Sequence, residues 1–229
     1  MKSPFIKLLV FWFSLATPLF ASKSDVLKFY HLLKDLPKSE VAVKGQVCEK
    51  IAMLQMMNKY SPEDYSIVPN VTYGTGKILL GELDLLVVKK TDHKVMMVLE
   101  VKCRKDLRKS AKKAKEQLER IKSFTDVYGL LASSDESQMS VDGDVGADVG
   151  DDSDWYIHFE MEEAEGEDSP GYMPVFDLET RYLAISPLIK TRKSHGFLPL
   201  ALSFEEVDLL TKMLNQQDEQ DALRICKRY

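Results

Sequence analysis

The chain has 229 residues, a 45% hydrophobic content and a formal charge of −5, so it is long and apolar enough to bury a full core in one domain. Its charge is unevenly placed: fourteen Asp and Glu and no Lys or Arg lie between Ser133 and Pro170, leaving 22 acids against all 31 bases elsewhere. That basic body of +9 points to a polyanionic partner. Three cysteines (Cys48, Cys103, Cys226) and four scattered histidines lack the short ligand spacings of a structural zinc site.

The N-terminus, "MKSPFIKLLVFWFSLATPLFAS", sets Lys2 and Lys7 before an apolar run from Leu8 to Phe20 and a small residue, Ala21. That is the plan of a secretory signal, and the run is short of the ~20 residues of a membrane span. The expectation is a signal over 1–21 and a single domain over 22–229. The mature protein is then secreted or periplasmic, with no stable membrane association after cleavage. The alternative is an anchor that is not cleaved. In an exported protein one disulfide among the three cysteines is compatible with the sequence, which does not choose the pair.

The domain reads as α/β. Helical spacing of apolar residues predicts helices over Ser24–Leu36 and, as one element, Ser39–Tyr60, the latter with Val43, Val47, Ile51, Leu54 and Met57 on its stripe. "YSIVPNVTY" predicts a strand. "GELDLLVVKKTDHKVMMVLEVKC", residues 81 to 103, predicts a hairpin apolar on both faces and therefore central. A helix follows over Leu107–Phe124, with Leu107, Ala111, Ala114, Leu118 and Ile121 inward. "DVYGLLA" predicts a strand, as do "DWYIHFEM" and "RYLAIS", and Ser203–Asn215 a helix capped by Ser203. The acidic insertion, about 133–170, reads as a flexible loop from its Gly, Ser and Asp content. A calcium site from Asp142, Asp144 and Asp148 fits no established loop spacing, and a mimic of DNA screening a basic groove is a further reading.

The hairpin carries the chemistry. With a turn at Thr91–His93 and Lys90 opposite Lys94, Val88 faces Met96, Leu86 faces Val98 and Asp84 faces Glu100. Leu83, Leu85 and Val87 meet Val101, Leu99 and Met97 on the other face. Glu82 and Lys102 fall close by. Opposed carboxylates in a partly buried sheet repel, and a cation between them removes the penalty. Magnesium prefers a few carboxylate oxygens with positions open to water and phosphate, the arrangement that suits phosphodiester hydrolysis. A salt-bridged structural cluster of Glu82, Glu100 and Lys102 is the plainer reading.

Asp84, fifteen intervening residues, then Glu100-Val101-Lys102 resembles the PD-(D/E)XK motif of the restriction-endonuclease-like nucleases. Glu100-Val101-Lys102 is the one E-x-K in the chain, and it closes an apolar strand. "GELDLLV" followed by "VLEVKCR" is similar to archaeal Holliday-junction resolvases and nuclease-related domains, with Leu83 where the motif's name has Pro. The resemblance implies a core of helix, three-stranded meander, helix and strand over residues 39–132, in a central mixed sheet flanked by helices. It implies a metal-dependent nuclease, with Mg²⁺ or alternatively Mn²⁺ held by Asp84, Glu100 and the Val101 carbonyl, and Lys102 acting on the attacking water. From the superfamily's first core helix it implies Glu49 as a supporting acid, and from the helix after the Lys it implies Gln117. Between Lys102 and Lys122 ten Lys or Arg stand against three acids; Arg104, Arg108, Lys112 and Lys115 are the expected phosphate contacts. Nucleic acid, DNA before RNA, is the expected partner, and a homodimer is compatible. The alternative is a catalytically silent nucleic-acid-binding module on the same fold.

Overall fold

The computed structural model describes residues 23–75, 78–134, 155–159, 174–187 and 197–228. Residues 1–22, with the segment expected to be a signal, and most of the acidic insertion, including Asp142, Asp144 and Asp148, lie outside the described residues. No described helix is long and apolar enough to cross a membrane.

Alternating, β-branched-rich sequence from Tyr65 onward forms three antiparallel strands, β1 (Tyr65–Thr75), β2 (Ile78–Lys89) and β3 (Val95–Val101). β4 (Trp155–Phe159) adds antiparallel to β1, within the range expected for the acidic insertion. β5 (Arg181–Ser186) and β6 (Phe197–Pro199) add in parallel beyond β3. The described sheet is therefore six-stranded and mixed, in the order β4-β1-β2-β3-β5-β6. Leu85, Leu86, Val87, Val98 and Leu99 at its centre are all buried, as a strand pair covered on both faces requires.

Helices cover both faces. On one, Leu85, Val87, Met97 and Leu99 pack with α1 (Lys23–Leu33), α3 (Lys44–Lys59), α5 (Phe204–Leu214) and α6 (Glu219–Arg228). On the other, Leu86, Val88 and Val98 pack with Ile121 and Phe124 of α4 (Leu107–Ser134). Tyr73 lies against Phe124, ring centroids 4.9 Å apart, and also over Gly81. A Cβ at Gly81 would stand 2.6 Å from the Tyr73 hydroxyl, so the glycine of "GELD" is a packing requirement.

Four expectations change. The helix expected over Ser39–Tyr60 is split into α2 (Lys38–Val41) and α3, because Val43 is extended and exposed instead of on the stripe; its amide donates to the Gln46 side chain, which closes the N-terminus of α3, and at the far end Met56 is buried while Met57, expected on the stripe, is exposed. "DVYGLLA" is no strand: α4 runs through it to Ser134. Nothing in Leu-Leu-Ala stops a helix already nucleated, and adding a residue costs less than starting a strand. The strand that returns after α4 is β5, parallel to β3. At the turn, Lys89 rather than Lys90 pairs with Lys94, and Val88 faces Val95, because a bulge accommodates Met96. Finally, Leu83 does not share a face with Leu85 and Val87; it packs with Leu86 and Val88 on the α4 side. Val68 and Val71 of β1, three apart, likewise share one core. Both strands change faces together at Asn70 and Asp84, where Asn70 takes a left-handed φ of 53° and the ladder pairing is skipped.

The helix capped by Ser203 is α5: the Ser203 hydroxyl accepts from the Glu206 amide, and Glu206 accepts from the Ser203 amide. One disulfide, Cys48–Cys103, joins α3 to the chain just past β3. It closes a span of 55 residues, worth roughly 4 kcal/mol in a chain-entropy account. Cys226 is free and buried.

Candidate active site

The site is made by two strands that part. Ladder pairing between β2 and β3 holds at Val87–Met97, Leu86–Val98 and Leu85–Leu99, then stops. β2 continues against β1 as far as Ile78, and β3 continues against β5 as far as Val101–Ile185. Asp84 and Glu100 are the next residues after the last β2–β3 pair, so they stand where the strands fork.

The Asp84 carboxylate takes the backbone group the fork leaves open, accepting from the Val101 amide at 2.5 Å. The Glu100 carboxylate, 2% exposed, accepts from the Lys102 ammonium and lies close enough to the Asp84 carboxylate to interact with it. Lys102 is itself only 8% exposed, and its amide donates to the Ile185 carbonyl, which fixes the strand end. Glu49 approaches from α3, flanked by Val47 and Ile51 in the core, and lies near Asp84, Glu82 and Lys102.

Burial acts on all three acids, and repulsion by Asp84 adds to it at Glu49 and Glu100. Glu100 is pushed up to about 7, by burial first and then by the Asp84 carboxylate, against the pull of Lys102. Asp84 is raised by burial, opposed by the Val101 amide, Lys102 and Lys113. Glu49 is raised by burial, then by Asp84 and Glu82. Lys102 is the ammonium in contact with Glu100, so the cluster carries more negative charge than its cations balance.

Of the expected site residues, Glu49, Asp84, Glu100, Val101 and Lys102 are brought together. Gln117 lies on α4, where its Oε1 and the Ser110 Oγ are buried without a hydrogen-bond partner among the described residues. Lys112 and Lys115 are exposed and point along α4 to Glu116 and Glu119, at 3.8 and 3.5 Å. Lys115 also borders a groove against Tyr182, Ala184 and Phe197, together with Lys122. Arg104 and Arg108 are exposed near the start of the helix.

Sequence reasoning passed over Lys113, whose charge reaches Asp84, and Arg120, which donates to the Leu80 carbonyl at 3.4 Å and whose charge reaches Tyr73. Their spacing from Gln117, four and three residues, places all three along one side of the helix; that spacing was the available signal.

The donors suit a hard divalent cation, since they are carboxylate oxygens with surplus negative charge. Among the described residues, however, no three His, Cys, Asp or Glu side chains already converge around one point. The Val101 amide and the Lys102 ammonium occupy oxygens that a cation would need. Compared with known proteins, the chain matches no protein family, no curated protein and no solved structure.

Proposed function

We propose that this chain is a magnesium-dependent nuclease of the restriction-endonuclease-like class, acting on DNA. The observation that carries the reading is the fork: two parting strands bring Asp84 and Glu100 together beside a buried Lys102, with Glu49 added from a separate helix. The order α3, meander β1-β2-β3, α4, then β5 beside β3 supports the reading, although the last strand is Arg181–Ser186 and not within residues 39–132 as the resemblance implies.

In this reading Asp84, Glu100 and the Val101 carbonyl hold Mg²⁺ or Mn²⁺, supported by Glu49. The cation, when bound, supplies Lewis-acid stabilisation of charge at the phosphoryl group. Lys102, released from Glu100, orients the attacking water and steadies developing charge. Gln117, whose amide oxygen is buried without a partner among the described residues, is the α4 residue that the resemblance adds to the site. Arg104, Arg108, Lys112 and Lys115 hold phosphates along the duplex. The disulfide supports an oxidising compartment, and with it export through the N-terminal signal, secreted or periplasmic.

One observation favours the second reading, a catalytically silent DNA-binding module: Lys102 already neutralises Glu100, as a retained structural pair would. Nicking of supercoiled plasmid by the full chain, with Mg²⁺ and with chelator, separates the two when run beside a gel shift. Mg²⁺-dependent nicking is expected. Binding without nicking leaves the silent module, and neither activity removes DNA from the account.

A further inference from the structure

We propose that the Cys48–Cys103 disulfide is a redox-controlled positioning element that holds Glu49 at the forked strands and releases it on reduction. The inference rests on the nuclease reading for its effect on cleavage, and on the geometry alone for its effect on structure.

The bond is placed at the site. Cys48 immediately precedes Glu49 on α3, and Cys103 immediately follows Lys102 after β3, with Cα atoms 6.1 Å apart. One covalent link thus spans the two segments that supply the acid from the helix and the Glu100–Lys102 pair from the sheet. Glu49 has little else to fix it. Its carboxylate has no hydrogen bond or ion pair among the described residues; Asp84 and Glu82 repel it, and the attraction of Lys102 and Lys50 is the smaller influence. Like charges push such a side chain outward, so its position depends on the backbone beneath it.

The rest of α3 is held independently. Ile51, Ala52 and Met56 are in the core, Lys44 pairs with Asp208, and Lys50 pairs with Glu40 at 2.6 Å. Opening the disulfide therefore loosens the turn that carries Cys48 and Glu49 rather than undocking the helix. Access is one-sided, since Cys48 is fully buried while Cys103 is partly exposed. A dithiol reductant attacks the Cys103 sulfur as thiolate and forms a mixed disulfide there, expelling Cys48 as a thiolate that takes a proton. The second thiol of the reductant then closes its own disulfide and frees Cys103 as the thiol. Two electrons and two protons pass from the dithiol to the protein. In a reducing compartment the site is slack, and in an oxidising one it is assembled.

The test compares the full chain, oxidised and dithiothreitol-treated, by hydrogen exchange, Mn²⁺ titration and plasmid nicking. In the reduced protein, exchange is expected to rise about tenfold over residues 47–49 and 102–106 only, with β2, β3 and α5 unchanged. Mn²⁺ affinity is expected to fall by about tenfold, the usual scale for losing support of a metal ligand, and nicking to fall with it. Cys48→Ser/Cys103→Ser without reductant reproduces the reduced state, whereas Cys226→Ser behaves as the parent. Glu49→Gln separates positioning from general stapling: if the bond works through Glu49, reduction changes Mn²⁺ affinity less than twofold in that variant. Unchanged exchange on reduction overturns the proposal, as does exchange that rises throughout the molecule or full redox sensitivity in Glu49→Gln. An oxidised parent that does not nick removes the nuclease reading instead, and the exchange pattern still decides the positioning role.

Discussion

The two ends of the β2–β3 hairpin are built from the same residue types and treat charge in opposite ways. At the turn end, Lys89 reaches Asp92, and Lys94 reaches Asp177 and Glu179, all near solvent. Slight desolvation opposes ionisation of Asp92 and Asp177, but their lysine partners and nearby amides outweigh it and hold both below the usual carboxylate range. Lys94 is raised in return by its hydrogen bonds to Asp177 and Glu179. At the forked end, Glu49, Asp84 and Glu100 are all raised, by burial first. Acids that are partnered and wet are ordinary surface pairs worth little. Acids that are buried together with one lysine among them are costly, which makes the forked end the candidate for binding a ligand or running a reaction.

The sharpest way to break the contrast is Asp84→Asn. The amide oxygen still accepts from the Val101 amide, while the charge facing Glu100 disappears. Cleavage is expected to vanish within the range of the assay, and the melting temperature to hold or rise. A variant that cuts like the parent removes Asp84 from the metal set.

Lys102→Ala comes next, with single-turnover cleavage expected to fall by ~10²-fold or more. Glu100 is left without its ammonium, so the variant is also expected to lose more stability at pH 8 than at pH 6, where Glu100 takes a proton. Equal losses at both pH values show that Lys102 does not hold the Glu100 charge.

The pH response of stability separates the two ends without any activity. Glu100 is up to about 7 in the folded state, against ~4.3 unfolded. The folded protein then binds the proton more tightly, so this group's contribution is greatest at low pH and is lost as pH rises from about 4 to about 7. The loss is on the order of 3 kcal/mol. Asp92 and Asp177 act with the opposite sign, contributing above their unfolded values and losing that contribution on acidification. Urea midpoints without divalent cations are expected to fall between pH 5 and pH 8 in the parent and to change much less in Glu100→Gln. A parent as steep as the variant contradicts the burial account.

The smallest effects concern α4, where the cations divide by side. Neutralising Lys113 and Arg120, whose charges reach Asp84 and Tyr73, is expected to lower the slope of log K against log salt by about one per contact. Neutralising Lys112 and Lys115, which have Glu116 and Glu119 beside them, tests whether those pairs exchange for phosphate. An unchanged slope assigns that side to solvent.

Much of this was legible from periodicity and punctuation. The central strands announced themselves as continuous Leu and Val, and Ser203 with Glu206 announced α5. The β2–β3 register came out right from Leu85 to Val87 because a one-residue slip would misplace every side chain. It failed at the turn, where a bulge absorbs Met96, and at Leu83, where a paired change of face leaves no trace in an all-apolar run. "DVYGLLA" misled because a short apolar stretch carries no period of its own and inherits its state from the helix before it. The acids of the site were readable because they interrupt apolar strands. The disulfide was not, since closing 55 residues of chain depends on how α3 packs on the sheet.

The central claim is that the forked strands hold surplus negative charge for a divalent cation. Calorimetric titration of Mg²⁺ into the oxidised protein at pH 6.5, in two buffers of different ionisation enthalpy, addresses it directly. The account predicts saturable binding that releases close to one proton, as Glu100 gives up the proton that burial lets it keep, and loss of both signals in Asp84→Asn. Saturable binding with no proton release, or binding that survives in Asp84→Asn, contradicts it.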